Sequence, residues 1–307
     1  MTRPSRILVS GASGLIGTAL VRTFTASQIS VTRLVRKPKP DNEQEICWSP
    51  QSFPAIGDPS QLEGFDAAIH LSGANVAAHR WTTAYKKEIA DSRVQTTETL
   101  AKLLAELKNP PPIFLCASAI GIYGNRGDEV LTEASPHGIG FLAKTCIAWE
   151  AAAQPAKDAG VRVIHLRFGV VLSSEGGALA KMLPLFRLGL GGRLGSGRQW
   201  MSWISLPDVV AVVSHIIARQ ELSGPINLVT PNPVTNSEFT RTLAHTVHRP
   251  AVFPAPALAL RVILGEMADE ALLASARVIP AQLTESGFHF QHEQLTAALE
   301  SLLVKST

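Results

Sequence analysis

One stretch constrains this chain more than any other. Residues 7–17, reading Ile7-Leu8-Val9-Ser10-Gly11-Ala12-Ser13-Gly14-Leu15-Ile16-Gly17, run from an apolar β segment through a glycine turn into an amphipathic helix. In that context each glycine has its own task. Gly11 permits the tight turn, Gly14 lets the backbone approach a pyrophosphate, and Gly17 lets the helix pack closely on the sheet. The helix opening at Gly14 points unpaired N–H groups at whatever lies before it, which favours an anion. Gly11, Ser13, Gly14, Leu15, Ile16 and Gly17 are therefore expected to cradle a dinucleotide.

The rest of the composition agrees with a globular α/β chain. It has 307 residues, 46% hydrophobic and 17% charged, enough for one large domain with an appendage or for two small ones. No window approaches the roughly 18 consecutive apolar residues of a membrane span, so no membrane partner is expected. The N-terminus leads into the first strand without an apolar signal region, which makes the cytoplasm the expected compartment. Cys47, Cys116 and Cys146 are widely spaced and read as reduced, buried thiols rather than a metal or redox motif. A net charge of +3 without long basic runs gives no reason to expect nucleic acid.

The second strand, Val31 to Val35, decides which dinucleotide is expected. An NAD site places an acid about 20 residues beyond the glycines to hold the ribose 2′-hydroxyl. From Thr18 to Pro40 there is no Asp or Glu, whereas Arg36 and Lys37 follow the strand, with Arg33 nearby. Guanidinium and ammonium groups clamp a 2′-phosphate that a carboxylate repels, so the predicted cofactor is NADP(H). The plainer alternative is a solvated basic loop.

Ile46 to Trp48 reads as a short edge strand, and Asp66 to Gly73 as a buried one whose small end, Leu71-Ser72-Gly73, leaves room for adenine and ribose. His70 reads as a packed strand residue. Helical periodicity runs from Trp81 to Lys108 with a break expected near Asp91-Ser92; Glu88 and Arg93 either pair with each other or face the cofactor. Ile113 to Ser118 and Val161 to Phe168 are further buried strands, flanking a helix over 138–159. Ala178 to Leu188 is a short apolar helix. The following loop carries Gly189, Gly191, Gly192, Gly195 and Gly197 with Arg193 and Arg198, and is expected to be a flexible flap over an anionic substrate. Trp200 to Ile204 reads as a strand, Ser205 as an N-cap with Asp208 in a capping-box position, and Ile226 to Val229 as a last strand. Pro231-Asn232-Pro233 marks the expected domain boundary, dividing residues 1–230 from a helical tail, 231–307. His245 with His248 and His289 with His292 lack the further ligands a zinc site needs, so no metal is expected.

The combination of Gly11, Gly14 and Gly17, the Ile69 to Gly73 strand end, and Ser118 with Tyr123-Gly124 resembles the extended short-chain dehydrogenase/reductases. That group contains nucleotide-sugar epimerases and dehydratases. Four further stretches are similar to its atypical, epimerase-like (sugar-nucleotide epimerase or cell-division-inhibitor-like) subfamily: His70 to Asn75, Arg80-Trp81 with Ser92-Arg93, Phe141 to Ala143 with Trp149-Glu150, and Gly195 to Gln199 with Trp203-Ile204. The resemblance implies a doubly wound, mostly parallel Rossmann sheet with a smaller, largely helical C-terminal cap. It implies that Ser118 orients a carbonyl, that Lys144 holds the nicotinamide ribose, and that Val171 passes the nicotinamide edge, unless Val171 only packs in the core. It also suggests a homodimer paired through the helices around Leu104 and Trp149.

One departure stands out. Ordinary members of the superfamily carry a Tyr four residues before the Lys, whose phenol moves the proton that accompanies hydride transfer. Here Gly140 precedes Lys144, and the residues four beyond the two tyrosines, Tyr85 and Tyr123, are Ile89 and Gly127. Two functions therefore stay open. One is an NADP(H)-dependent oxidoreductase or epimerase on a small anionic or nucleotide-sugar substrate, with His137, Lys144 or a bound water as proton donor. The other is an NADP(H)-binding sensor whose catalysis has been lost.

Overall fold

The computed structural model describes residues 4–39, 42, 44–52 and 54–304. Its centre is a seven-stranded sheet. In chain order the strands are β1 Arg6–Ser10, β2 Ser30–Val35, β3 Glu45–Cys47, β4 Ala67–His70, β5 Ile113–Ala119, β6 Arg162–Phe168 and β7 Gly224–Leu228. In space they run β7-β6-β5-β4-β1-β2-β3, every neighbouring pair parallel. The order reverses at β1, beside β4, which is where an open α/β sheet leaves a crevice above its carboxyl ends.

Continuous apolar runs make these strands because both faces are covered. Ile7 and Val9 point to one face, with Ile69, Leu115 and Ile164, beneath helices α1 (Leu15–Ala26) and α6 (Leu206–Ala218). Leu8, Ala68, Phe114 and Cys116 point to the other, beneath α2 (Thr83–Ala105) and α4 (Gln154–Asp158). The single helix expected over 138–159 is two, α3 (Phe141–Ala151) and α4, and α3 begins only at Phe141 because Gly140, at φ +110°, cannot take a helical conformation. Leu104 and Trp149, on the two helices expected to pair with their copies, are themselves buried within the chain.

Several expectations need correction. Helix α2 is unbroken through Asp91 and Ser92, since Asp91 pairs with Lys87 one turn back and the Ser92 hydroxyl bonds the Ile89 carbonyl. Cys47 is exposed, because the edge strand turns Ile46 and Trp48 inward. Burial pushes the Cys146 thiol up to about 12, so that thiol is inert. Trp200–Met201 and Trp203–Ser205 lie outside the central sheet, pairing with Val234–Thr235 and Val170–Leu172.

The cap core joins α5 (Gly177–Arg187), α7 (Asn236–Thr246) and α10 (Leu295–Val304) around Phe186, Trp203, Phe239 and Leu299. Residues beyond 231 do not stay in the cap. Arg277–Val278 pairs with Val130–Leu131, Leu283 of α9 (Ala281–Glu285) enters the sheet core, and the Gln291 and His292 amides bond the buried Asp208 carboxylate at 2.6 and 3.1 Å. The Ser205 cap on Asp208 N, at 3.2 Å, thus sits within a larger anchor for the tail.

His70 locks the crevice floor. The Thr96 hydroxyl donates to Ser92 O at 2.8 Å, so His70 Nε2 must donate to Thr96 Oγ1 at 3.1 Å, and Nδ1 accepts from the Ser10 hydroxyl. Burial lowers its pKa to about 3 from the ordinary imidazole value of 6.5, keeping the ring neutral in the fold. Its contribution is fully present above 6.5 and declines as pH falls toward about 3, because the unfolded state then binds a proton the fold refuses. In acid denaturation series, His70→Gln should flatten the slope over that window by up to about 1.4 kcal/mol per pH unit.

Candidate cofactor site

The glycine turn joins the carboxyl end of β1 to α1. Gly11 sits at φ +70°, and a Cβ there would lie 2.6 Å from the Leu71 carbonyl carbon. Only glycine tolerates both the dihedral and the approach. A Cβ on Gly17 would lie 2.3 Å from Gly11 O and 2.8 Å from Ala12 Cα, so the third glycine makes room for the turn itself rather than for the sheet. Gly14 differs from both: a Cβ there would meet only Gly11 O, at an ordinary contact distance of 3.4 Å. It is also the N-cap of α1, with no side-chain cap and no acid in the first turn. The N-terminal N–H groups of α1 therefore await an outside acceptor.

Neighbouring strand ends complete a cradle. Leu71 N donates to Ser10 O at 3.1 Å, so the Leu71-Ser72-Gly73 segment runs beside the turn. Ala12, Leu15, Ile16, Leu71 and Val171 pack on one core cluster, and Leu15 supports Gly176 and Gly177 beyond Val171. Arg93 lies against Gly73, where a Cβ would stand 3.3 Å from its guanidinium carbon. It donates to Ala74 O at 2.9 Å and Ile89 O at 3.0 Å and lies 5.1 Å over the Trp149 ring. Among the described residues no carboxylate pairs with it.

Glu88 is exposed and is not that partner. Five residues along a helix turn two side chains about 140° apart, so the two share no face. Arg36 and Lys37 are exposed just past β2, with no carboxylate on either among the described residues, whereas Arg33 is held by Glu45 at 3.0 Å. The basic end of β2 thus splits into one structural cation and two available ones.

Ser118 is not in the crevice. It is 2% exposed, and its hydroxyl donates to Glu150 Oε1 at 2.7 Å. Glu150 in turn takes two bonds from Arg167, Nε to Oε1 at 2.8 Å and Nη2 to Oε2 at 2.9 Å. Arg167 Nη1 reaches the Tyr123 hydroxyl at 2.8 Å, which donates to Asn227 Oδ1 at 2.8 Å. Burial pushes the Glu150 carboxyl up, but the Arg167 bonds and charge outweigh it and hold the group below the usual carboxylate range. The carbonyl-orienting role expected of Ser118 fails because its one proton is committed to this buried network. Tyr85 is likewise engaged, donating to Asn75 O.

Lys144 is exposed on α3, one turn beyond Gly140. Gly140 has φ +110°, and a Cβ there would fall 2.3 Å from Glu270 Oε1. The other oxygen, Oε2, accepts the Leu142 amide at 3.0 Å. A carboxylate from the C-terminal region therefore stands where a side chain at position 140 would begin. Sequence spacing gave no route to Glu270, which is 130 residues from Gly140; the one signal was a glycine opening a helix without a capping side chain. His137 is exposed nearby in sequence.

The glycine-rich segment 189–197 is not a flap. Phe253 N donates to Gly191 O at 3.2 Å, Ala255 N to Arg193 O at 2.9 Å and Gly195 N to Ala255 O at 2.8 Å. Cβ atoms on Gly192 and Gly197 would lie 1.9 Å from Phe253 O and 2.1 Å from Ser237 Oγ. Its glycines allow backbones to touch, which makes a strap.

The model described as the NAD dependent epimerase/dehydratase family matches residues 7–228, and one described as a domain of unknown function, DUF1731, matches residues 255–302. The chain belongs to the NAD dependent epimerase/dehydratase family. The chain is 45% identical over 293 residues to an epimerase family protein of Mycobacterium bovis, covering 95% of this chain and 96% of that one. It is 35% identical to the human epimerase family protein SDR39U1, covering 97% and 99%. The crystal structure of human SDR39U1 (isoform 2) with NADPH superposes with a TM-score of 0.89 at 34% identity, covering 97% of this chain and 98% of that one. A nucleoside-diphosphate sugar epimerase from Corynebacterium glutamicum gives 0.78 at 37% identity, covering 98% of this chain and 58% of that one. Among the described residues of this epimerase-family chain, no helix is long and apolar enough to cross a membrane.

Proposed function

We propose that this chain binds NADP(H) above the carboxyl ends of β1, β2 and β4 and acts as an oxidoreductase or epimerase on a small molecule. The carrying observation is the uncapped N-terminus of α1 behind a turn that Gly11 and Gly17 keep free of side chains, with Arg36 and Lys37 available past β2. The NADPH in the human relative's structure supports the same cofactor. In this reading the Leu15 to Gly17 amides hold the pyrophosphate, the Gly14 amide being donated to Gly11 O within the turn, Arg36 and Lys37 hold the 2′-phosphate, and Leu71, Ser72, Gly73 and Val171 line the crevice. Arg93 offers a guanidinium that no carboxylate neutralises, Lys144 serves the nicotinamide ribose, and exposed Glu88 lies at the margin. The bound cofactor supplies a hydride donor or acceptor. Glu270, at Gly140, is the group that holds or releases the accompanying proton, a role Ser118 and both tyrosines cannot take in their present bonds. The Corynebacterium relative supports a nucleotide-sugar substrate.

The sensor reading is favoured by those same committed hydroxyls. Fluorescence titration with NADPH and NADH, followed by NADPH oxidation against carbonyl compounds and nucleoside-diphosphate sugars, separates the two. Turnover lost in Glu270→Gln and Lys144→Ala with binding retained supports the enzyme, while tight binding without turnover supports the sensor. Arg36→Ser with Lys37→Ser should weaken NADPH about 10- to 100-fold and leave NADH within a few-fold, as expected for charge-assisted bonds to one phosphate. Tighter binding of NADH than NADPH by the unmodified chain would sink the Arg36 assignment.

A further inference from the structure

Helix α8 (Ala257–Leu264) is an apolar helix that buries none of its residues. Leu258 and Val262, one turn apart, are 72% and 65% exposed, and Ile263, next to Val262, is 66% exposed. The strap before it carries further exposed apolar side chains. Val252 and Phe253 are exposed, and the Leu190–Ala251 bridge brings exposed Leu188 and Leu190 beside them. Monomeric proteins rarely leave large apolar patches exposed without a use for them.

Charge along these segments is mostly basic, the nearest acids in sequence past α8 being Glu266 and Asp269, paired with Lys86 and Arg261. Residues 176–199 and 239–265 contain no Asp or Glu. Arg187, Arg193 and Arg249 are exposed without a carboxylate partner among the described residues, while Arg261 is offset by Asp269 at 2.9 Å. Apart from Arg261, the stretch 250–264 carries no side chain able to hydrogen-bond.

We propose that this face lies on an anionic membrane surface, with α8 and the strap seated among the headgroups and acyl chains and the arginines on the phosphates. Lying on a bilayer needs no spanning segment; it needs an apolar face and a cationic margin. A second copy docked face to face would bring two basic margins together, with Glu266 and Asp269 already paired with Lys86 and Arg261. A protein partner of ordinary size makes about ten hydrogen bonds across its interface, and the 250–264 stretch offers side chains for almost none. A lipid surface asks for burial and charge, which are what this face offers.

The test is flotation of the purified full chain with vesicles of phosphatidylcholine alone and with about 30% phosphatidylglycerol. Binding is expected to the anionic vesicles, to weaken in about 0.5 M NaCl, and to fall about fivefold for each of Arg187→Gln and Arg249→Gln. Leu258→Ser with Val262→Ser should abolish it while leaving thermal unfolding and NADPH titration unchanged, since neither residue supports the fold or the crevice. No flotation on anionic vesicles, or flotation indifferent to those substitutions, overturns the proposal. So does light scattering that shows a dimer which the same substitutions dissociate, or a defined complex with an acidic protein that they abolish.

Discussion

Arg167→Met should lower the unfolding free energy by about 3–5 kcal/mol, the largest stability loss expected of a single polar substitution in this chain. Glu150, Arg167, Tyr123 and Asn227 are nearly sealed beneath the carboxyl end of β5, and removing the guanidinium leaves the Glu150 carboxylate buried with only the Ser118 hydroxyl as a partner. Glu150→Met alone should cost a similar amount by stranding the cation. Together the two should cost far less than their sum, because an apolar pair of similar volume carries no desolvation debt. Urea denaturation followed by circular dichroism gives all three values. A single-mutant loss below about 1 kcal/mol would show that water reaches the pair. The sign with pH follows from Glu150, whose carboxyl is held below the ordinary carboxyl value of 4.5. Its stabilisation is present above that value and disappears as pH falls through the lower folded pKa.

Gly17→Ala and Gly14→Ala should separate what the glycine turn does for the fold from what it does for the ligand. A methyl at 17 has to displace backbone, lying 2.3 Å from Gly11 O, so about 1–3 kcal/mol of stability and nearly all NADPH affinity should go together. At position 14 the nearest protein atom is at 3.4 Å and φ is −76°, conditions any L residue accepts. Gly14→Ala should therefore unfold at the wild-type temperature yet bind NADPH at least about tenfold more weakly, because the methyl occupies the space before the helix N-terminus. Equal affinity in Gly14→Ala and wild type would place the pyrophosphate elsewhere. Thermal unfolding and nicotinamide fluorescence measure the two arms on one preparation.

The fold was legible where local pattern and global packing ask for the same residues. Ile7 to Val9 and Ile113 to Cys116 are apolar throughout because both sheet faces are covered, and the Ser205 cap lies within its own helix start. The site was legible where its atoms are backbone amides close in sequence, as at Gly11 to Gly17. It failed where a side chain chose between partners. Ser118 is at the end of β5 as expected, but whether its hydroxyl turns to the crevice or to Glu150 depends on a helix 32 residues away. Glycines 189–197 read equally well as a flap or as a strap, and only the Gly191 and Gly195 bonds to the 253–255 backbone decide it.

The strand–turn–helix cradle, the basic end of the second strand and the missing tyrosine follow from residue order alone, because period-two and helical patterns, glycine dihedrals and charge are local properties. It took the closed fold to pair Arg33 with Glu45 while leaving Arg36 and Lys37 available, to draw Ser118 into a buried ion-pair network, and to set Glu270 beside Gly140. Those outcomes are long-range pairings, and the energy that selects them comes from burial and desolvation, which exist only once distant segments have closed around the groups concerned.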